Sequence, residues 1–186
     1  MSSALRPDLL VPVDDGAADH LPGASIPGLA FPASTGGELD LAELSAGLLM
    51  LYVYPRTGRP GVPLPQGWDE IPGARGCTPQ ACSFRDHHAE IVGLGAAVAG
   101  LSSQPTDDQA EAAGRLELPF PLLSDPAFEL ADALSLPTFS AGGERFYRRL
   151  TLVAEAGRIV TVVYPVFPPD LNAAEVVAWL RGRPDS

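Results

Sequence analysis

The chain has 186 residues, 12 basic against 23 acidic for a formal charge of −11, and two cysteines. That length suits one domain able to bury a core without metal or disulfide staples, and the acidity repels phosphate backbones, which argues against nucleic-acid binding. Met1–His20 lacks a basic start followed by an apolar run, so no secretory signal is read. The longest apolar run, Leu48–Tyr54, is too short to span a bilayer. The expected compartment is the cytoplasm, where thiols stay reduced and closely spaced cysteines are more often catalytic or metal-binding than structural.

In chain order, residues 1–20 read as a flexible N-terminal arm and residues 21–186 as the folded domain. Leu21–Asp40 is rich in Gly and Pro, which suggests short strands and turns, and Leu39–Leu44 could form a helical turn. Leu48–Tyr54 is apolar on both faces and is expected as a central strand of a sheet covered on both sides. Pro55–Arg75 carries Pro60, Pro63, Pro65, Pro72 and four glycines. It is therefore read as a long loop, a class that is usually functional or mobile. Directly after the cysteines an amphipathic stretch runs from Ser83 to about Gly95, then come a strand at Ala96–Leu101 and a helix from about Thr106, which can cap it, to Leu116. A short Pro119–Leu123 segment precedes a helix start at Ser124-Asp125-Pro126, with Phe128, Leu130, Ala131 and Leu134 as its apolar face. Leu150–Ala154 and Ile159–Tyr164 form a hairpin, and a last helix opens at Asn172. This alternation describes an α/β fold of thioredoxin-like kind, with a central mixed β-sheet flanked by helices.

The cysteines occur in Gly76-Cys77-Thr78-Pro79-Gln80-Ala81-Cys82. Thr78 can serve as N-cap and Pro79 as the first helical residue. Cys77 then lies where unpaired backbone N–H groups and the positive helix end gather, a position that favours thiolate, whereas Cys82 is expected to be buried in the second turn. Cys82 could also be a plain core residue. A zinc site from Cys77, Cys82, His87 and His88 is disfavoured, because five-residue steps do not converge on one helix face. Neither a phosphate-cradling glycine loop nor a Gly-x-Ser-x-Gly elbow appears, which lowers nucleotide and acyl-transfer enzymes.

Three runs carry a family resemblance: Leu51-Tyr52-Val53-Tyr54-Pro55, Gly76-Cys77-Thr78-Pro79-Gln80-Ala81-Cys82-Ser83-Phe84-Arg85-Asp86, and Leu118-Pro119-Phe120-Pro121-Leu122-Leu123-Ser124-Asp125. In matching order from Leu21 to Arg181, the chain resembles the peroxiredoxins, specifically the peroxiredoxin Q or bacterioferritin-comigratory-protein branch. The resemblance implies a thioredoxin-fold peroxidase that reduces hydrogen peroxide and organic hydroperoxides without metal or organic cofactor. It implies Cys77 as the peroxidatic cysteine, Cys82 as the resolving one, a thioredoxin-like dithiol as reductant, and a monomer or weak homodimer. It further implies an active-site Pro at Pro55 and an Arg at Arg149, with Arg148 as the alternative, and makes Arg85 a supporting residue. Three before Cys77, where the family has a hydroxyl residue, stands Ala74, because an inserted loop of about 57–75 separates the strand from the cysteine. Counted from the strand, Thr57 takes the threonine's place. The insert could lid the site and select bulky hydroperoxides through Leu64 and Trp68.

An intact helix places Cα atoms five residues apart about 8.6 Å from each other, beyond the roughly 7 Å that a disulfide tolerates. The start of the helix must therefore unwind for the two sulfurs to join. Two other readings stand beside the peroxidase. One is a thioredoxin-fold disulfide oxidoreductase or redox sensor, although the spacing is not Cys-x-x-Cys and position 150 is Leu rather than Pro. The other is a thioredoxin-fold binding module with incidental cysteines.

Overall fold

The computed structural model describes residues 8–184. At its centre is β3, Leu48–Val53, whose six residues are all buried. Successive side chains leave a strand on opposite faces. Leu49, Leu51 and Val53 accordingly enter one apolar cluster, while Leu48, Met50 and Tyr52 enter another. A strand apolar on both sides needs a covering layer on each, as its sequence implied.

Parallel β4, Ala96–Ser102, lies on one side of β3, with Leu48 opposite Ala96 and Val53 opposite Leu101. Antiparallel β8, Leu150–Glu155, lies on the other, with Val53 opposite Leu150. With β5 (Leu122–Ser124) and β9 (Arg158–Val163) they form a mixed sheet ordered β5-β4-β3-β8-β9. Helices α2 (Cys77–Gly93), α3 (Thr106–Arg115) and α5 (Asn172–Arg181) cover the Met50 face. They contribute Phe84, Ile91, Ala112, Val176 and Leu180 to its cluster. Phe84 and Ile91 are fully buried, each stabilising the fold by about 1.5–3 kcal/mol. The opposite face is closed by α1 (Leu41–Leu44), α4 (Glu129–Leu134) and the residues around Leu21 and Phe31. The result is the α/β layering expected from the sequence.

Two short antiparallel ribbons flank this sheet: β1 (Ala30–Pro32) with β2 (Glu38–Asp40), and β6 (Thr138–Ala141) with β7 (Glu144–Tyr147). Of the arm expected over residues 1–20, residues 1–7 lie outside the described residues. Within the rest, Tyr164 Oη donates to Asp15 Oδ1 at 2.9 Å, His20 Nε2 bonds to Leu134 O at 2.8 Å, and Ala18 joins the core. Among the described residues no helix is long and apolar enough to cross a membrane.

One helix starts later than its sequence suggests. Ser124-Asp125-Pro126 does not open α4; Ser124 ends β5, and Phe128 turns through left-handed backbone (φ 57°) before the helix begins at Glu129. Asp125 still caps it, from four residues upstream, by accepting the N–H groups of Glu129 (2.9 Å) and Leu130 (3.0 Å). Tyr147 Oη donates to the same carboxylate at 2.6 Å and itself accepts from Ala131 N–H, which joins β7 to α4. Because these groups are buried, losing the acceptor strands several donors. Asp125→Ala should lower the unfolding free energy by about 3 kcal/mol and Tyr147→Phe by about 1 kcal/mol. Urea titration measures both, and equal small losses would contradict this account.

Candidate active site

Cys77 is the first residue of α2. The expected cap, Thr78, lies inside the helix; the N-cap is Gly76, at φ 108° and without a side-chain bond. Tertiary packing selects it, since a Cβ on Gly76 would come within 2.5 Å of Pro169 Cγ. Only glycine combines that left-handed backbone with that approach. Cys77 still occupies the helix end, with the first-turn N–H groups of Cys77 and Thr78 lacking partners within the helix.

The Cys77 side chain is only 4% exposed, and a buried arginine faces it. Arg149 lies directly before β8, and its Nη2 is 3.1 Å from Cys77 Sγ. The same nitrogen reaches the carbonyls of Gly73 (3.4 Å), Ala74 (3.2 Å) and Arg75 (3.2 Å). Among the described residues Arg149 Nε has no partner. Arg148, the alternative, instead places its guanidinium over the ring of Phe139. Cys77 Sγ also lies 3.9 Å from Ala74 O, an acceptor for the proton of the neutral thiol.

A buried polar chain that the sequence reading did not assign holds the arginine. Gln80, one helical turn after Cys77, accepts from Arg149 Nη1 and donates to Asn172 Oδ1 at 3.0 Å. Asn172 Oδ1 also accepts from Thr151 Oγ1 at 2.6 Å, linking α5 to β8. Gln80, Thr151 and Asn172 are wholly buried. The three-residue step from Cys77 to Gln80 was the one available signal, since such pairs share a helix face.

Cys82 is half-buried rather than buried, and both cysteines are free thiols. In a continuous helix Cys82 is turned by about 140° from Cys77, so the two side chains leave different faces. Arg85 bonds to Asp86 (3.0 Å) and Leu116 O (2.9 Å), away from Cys77. Pro55 is buried at the end of β3. Thr57 is clipped at its backbone by Gln104, N–H to Oε1 at 2.9 Å and Nε2 to O at 3.2 Å. Among the described residues no hydrogen bond joins Thr57 to Cys77 or Arg149.

Tyr52 and Tyr54 line the same cluster as Cys77. Burial pushes both phenols well above their ordinary range, and Tyr54 donates to Gln109 Oε1. Both stay neutral, leaving Arg149 as the charge facing the sulfur. His87 Nδ1 bonds to Ser83 O at 2.9 Å, and His88 packs against Phe120. Among the described residues no three His, Cys, Asp or Glu side chains converge on a metal position.

The redoxin family profile matches residues 21–178. A Mycobacterium tuberculosis protein provisionally named a peroxiredoxin is 30% identical over 154 residues, 78% of this chain and 85% of that protein. Chloroplastic peroxiredoxin Q of Sedum lineare is 28% identical over 160 residues, 86% of this chain and 77% of its own. Among solved structures, peroxidoxin BcpB of Mycobacterium tuberculosis has a TM-score of 0.72 at 26% identity, covering 89% of this chain and 100% of its own. Xanthomonas campestris peroxiredoxin Q, at 20% identity and a TM-score of 0.66 over 95% of this chain and 98% of its own, shows the same thioredoxin-like fold. The chain belongs to the redoxin family, and within it to the peroxiredoxin Q or bacterioferritin-comigratory-protein branch.

Proposed function

We propose that this protein is a thiol-dependent peroxidase for hydrogen peroxide and organic hydroperoxides, with residues 21–186 working as one domain in the cytoplasm. Family membership supports the peroxidase chemistry. The observation that carries the residue roles is the 3.1 Å contact between Arg149 Nη2 and Cys77 Sγ at the first turn of α2. A buried guanidinium favours an anionic sulfur, and the sulfur anion is the nucleophile. Cys77 thiolate attacks the distal peroxide oxygen: the S–O bond forms, the O–O bond breaks, and the leaving oxygen takes a proton to become water or alcohol. Arg149 and the first-turn N–H groups are the donors placed to stabilise the negative charge moving onto that oxygen. Pro55 closes the site from the end of β3, and Thr57 supports it through the Gln104 clip.

Cys77 sulfenic acid then condenses with the Cys82 thiol, forming the S–S bond and releasing water, after the first turn of α2 has opened. An external dithiol of thioredoxin type returns both sulfurs to thiols by exchange. A redox-sensor reading draws support from one observation: among the described residues no hydroxyl bonds to Cys77 or Arg149, so a donor used for peroxide capture elsewhere in the family is missing. The rate with peroxide separates the two readings.

Stoichiometric hydrogen peroxide should convert the reduced parent rapidly to disulfide, leave Cys82→Ser as a stable sulfenic acid, and leave Cys77→Ser unmodified. Oxidation of the parent at the rate of an ordinary free thiol would overturn the peroxidase reading and favour the sensor. Arg149→Met should slow the first step by ~100-fold, the scale of losing one charge-stabilising donor. Stopped-flow mixing measures it, and a loss under about threefold would remove Arg149 from the mechanism. In the disulfide form, amide exchange across residues 77–85 should become faster than in the thiol form, and equal protection would contradict the opening of the turn.

A further inference from the structure

Opening the first turn of α2 means moving a segment that is fixed on both sides. On one side Gly76 rests against Pro169. On the other, Arg149 grips the carbonyls of Gly73, Ala74 and Arg75. Further upstream the inserted segment has its own anchor. Trp68, 3% exposed, packs edge-on to Phe146 with ring centres 4.9 Å apart and lies 5.7 Å from Phe139. It thereby docks the insert onto the β6–β7 hairpin in a cluster that also contains Ala74 and Ala141, with Ile71 at its margin. Trp68 packs against the hairpin, and Leu64, 41% exposed, lines a surface hollow beside it that does not include Cys77, so neither closes over Cys77 as a lid.

There is little slack between this anchor and the cysteine. Ile71 N–H bonds to Trp68 O at 3.2 Å and Ala74 N–H to Ile71 O at 3.1 Å, so the stretch is a run of closed turns. Ala74 belongs both to the Trp68 cluster and to the carbonyls held by Arg149. Pulling Cys77 out of the helix therefore strains the packing under Trp68.

We propose that Trp68 is a positioning residue for the resolving half of the reaction: by anchoring the insert it keeps the Cys77 turn closed after oxidation and prolongs the sulfenic acid. This rests on the peroxidase reading above. The sulfenic acid has two fates. It condenses with the Cys82 thiol, releasing water, which needs the turn open. Otherwise its sulfur attacks a second hydroperoxide, forming an S–O bond and breaking O–O, which yields sulfinic acid plus water or alcohol and needs only the closed site. The anchor slows the first fate and leaves the second untouched.

The partition between them reads the anchor. Parent, Trp68→Ala and Phe139→Ala are each oxidised over a series of hydrogen peroxide concentrations, and mass spectrometry gives the disulfide and sulfinic acid fractions among oxidised molecules. In Trp68→Ala the peroxide concentration giving half sulfinic acid should rise about tenfold, equivalent to roughly 1.4 kcal/mol of easier opening. Trp68→Phe should stay close to the parent, and Phe139→Ala, a milder change on the hairpin side, should shift in the same direction as Trp68→Ala. Because only oxidised molecules are counted, a slower first step in a variant does not disturb the ratio. A half-point unmoved in Trp68→Ala, or in Phe139→Ala should the first variant not fold, overturns the proposal. A parent that forms no sulfenic acid overturns the peroxidase reading and this proposal together.

Discussion

The site depends on one buried cation whose partners are almost all neutral. Arg149 is 4% exposed, and among the described residues no carboxylate bonds to it. A charge taken out of water loses several kcal/mol of hydration unless groups of opposite polarity replace it. Here the replacements are the Gln80 amide oxygen, backbone carbonyls and the Cys77 sulfur. Only the sulfur can become an anion. The guanidinium is thus solvated well enough to stay buried but, among the described residues, has no carboxylate as its counter-charge. In the proposed cycle a thiolate would be that counter-charge, and its conversion to sulfenic acid or disulfide would remove it, which links chemistry at Cys77 to opening of the turn.

The arrangement needs a rigid back wall, which the sheet and α5 supply. Thr151 on β8, Asn172 on α5 and Gln80 on α2 form a line of hydrogen bonds ending at Arg149 Nη1. A planar guanidinium held by a forked set of acceptors has little freedom to rotate. Gln80 sits between the two cysteines, so unwinding the helix start withdraws it from Arg149. The arginine is fully gripped only while the helix is closed, the form that meets peroxide in the proposed cycle.

Much of the frame was legible because burial on both faces writes a continuous apolar run, as in β3, and two apolar runs separated by a short turn with Gly157 write the β8–β9 hairpin. Cys77 and Arg149 were legible through their motif contexts. What escaped depends on contacts distant in sequence. The cap moved from Thr78 to Gly76 because Pro169 packs against that glycine. The start of α4 moved because Asp125 caps across four residues while bonded to Tyr147. Strands β6 and β7 are four residues each, joined by Gly142 and Gly143, both at positive φ. That is too short for periodicity to stand out, and the apolar side chains of the hairpin acquire meaning only once Trp68 is seen to cover them. The chain from Gln80 to Thr151 left no local trace beyond the step from Cys77.

The absent hydroxyl at position 74 can be weighed by counting donors. Ala74 contributes a carbonyl, which accepts from Arg149 and faces the thiol but cannot donate to a peroxide oxygen. Nη2 of Arg149 is shared between that carbonyl, its two neighbours and Cys77 Sγ, so it has little left to offer a substrate. Among the described residues Nε carries a hydrogen with no acceptor. An orphaned charged donor in a buried site is costly, and any oxygen that reaches it recovers the missing bond. The unspent donor and the N–H groups of the first turn of α2 together can do the orienting that a threonine hydroxyl would share. Under the proposed peroxidase reading, more of the burden of holding a peroxide would fall on Arg149, and its buried supports would serve the chemistry as well as the fold.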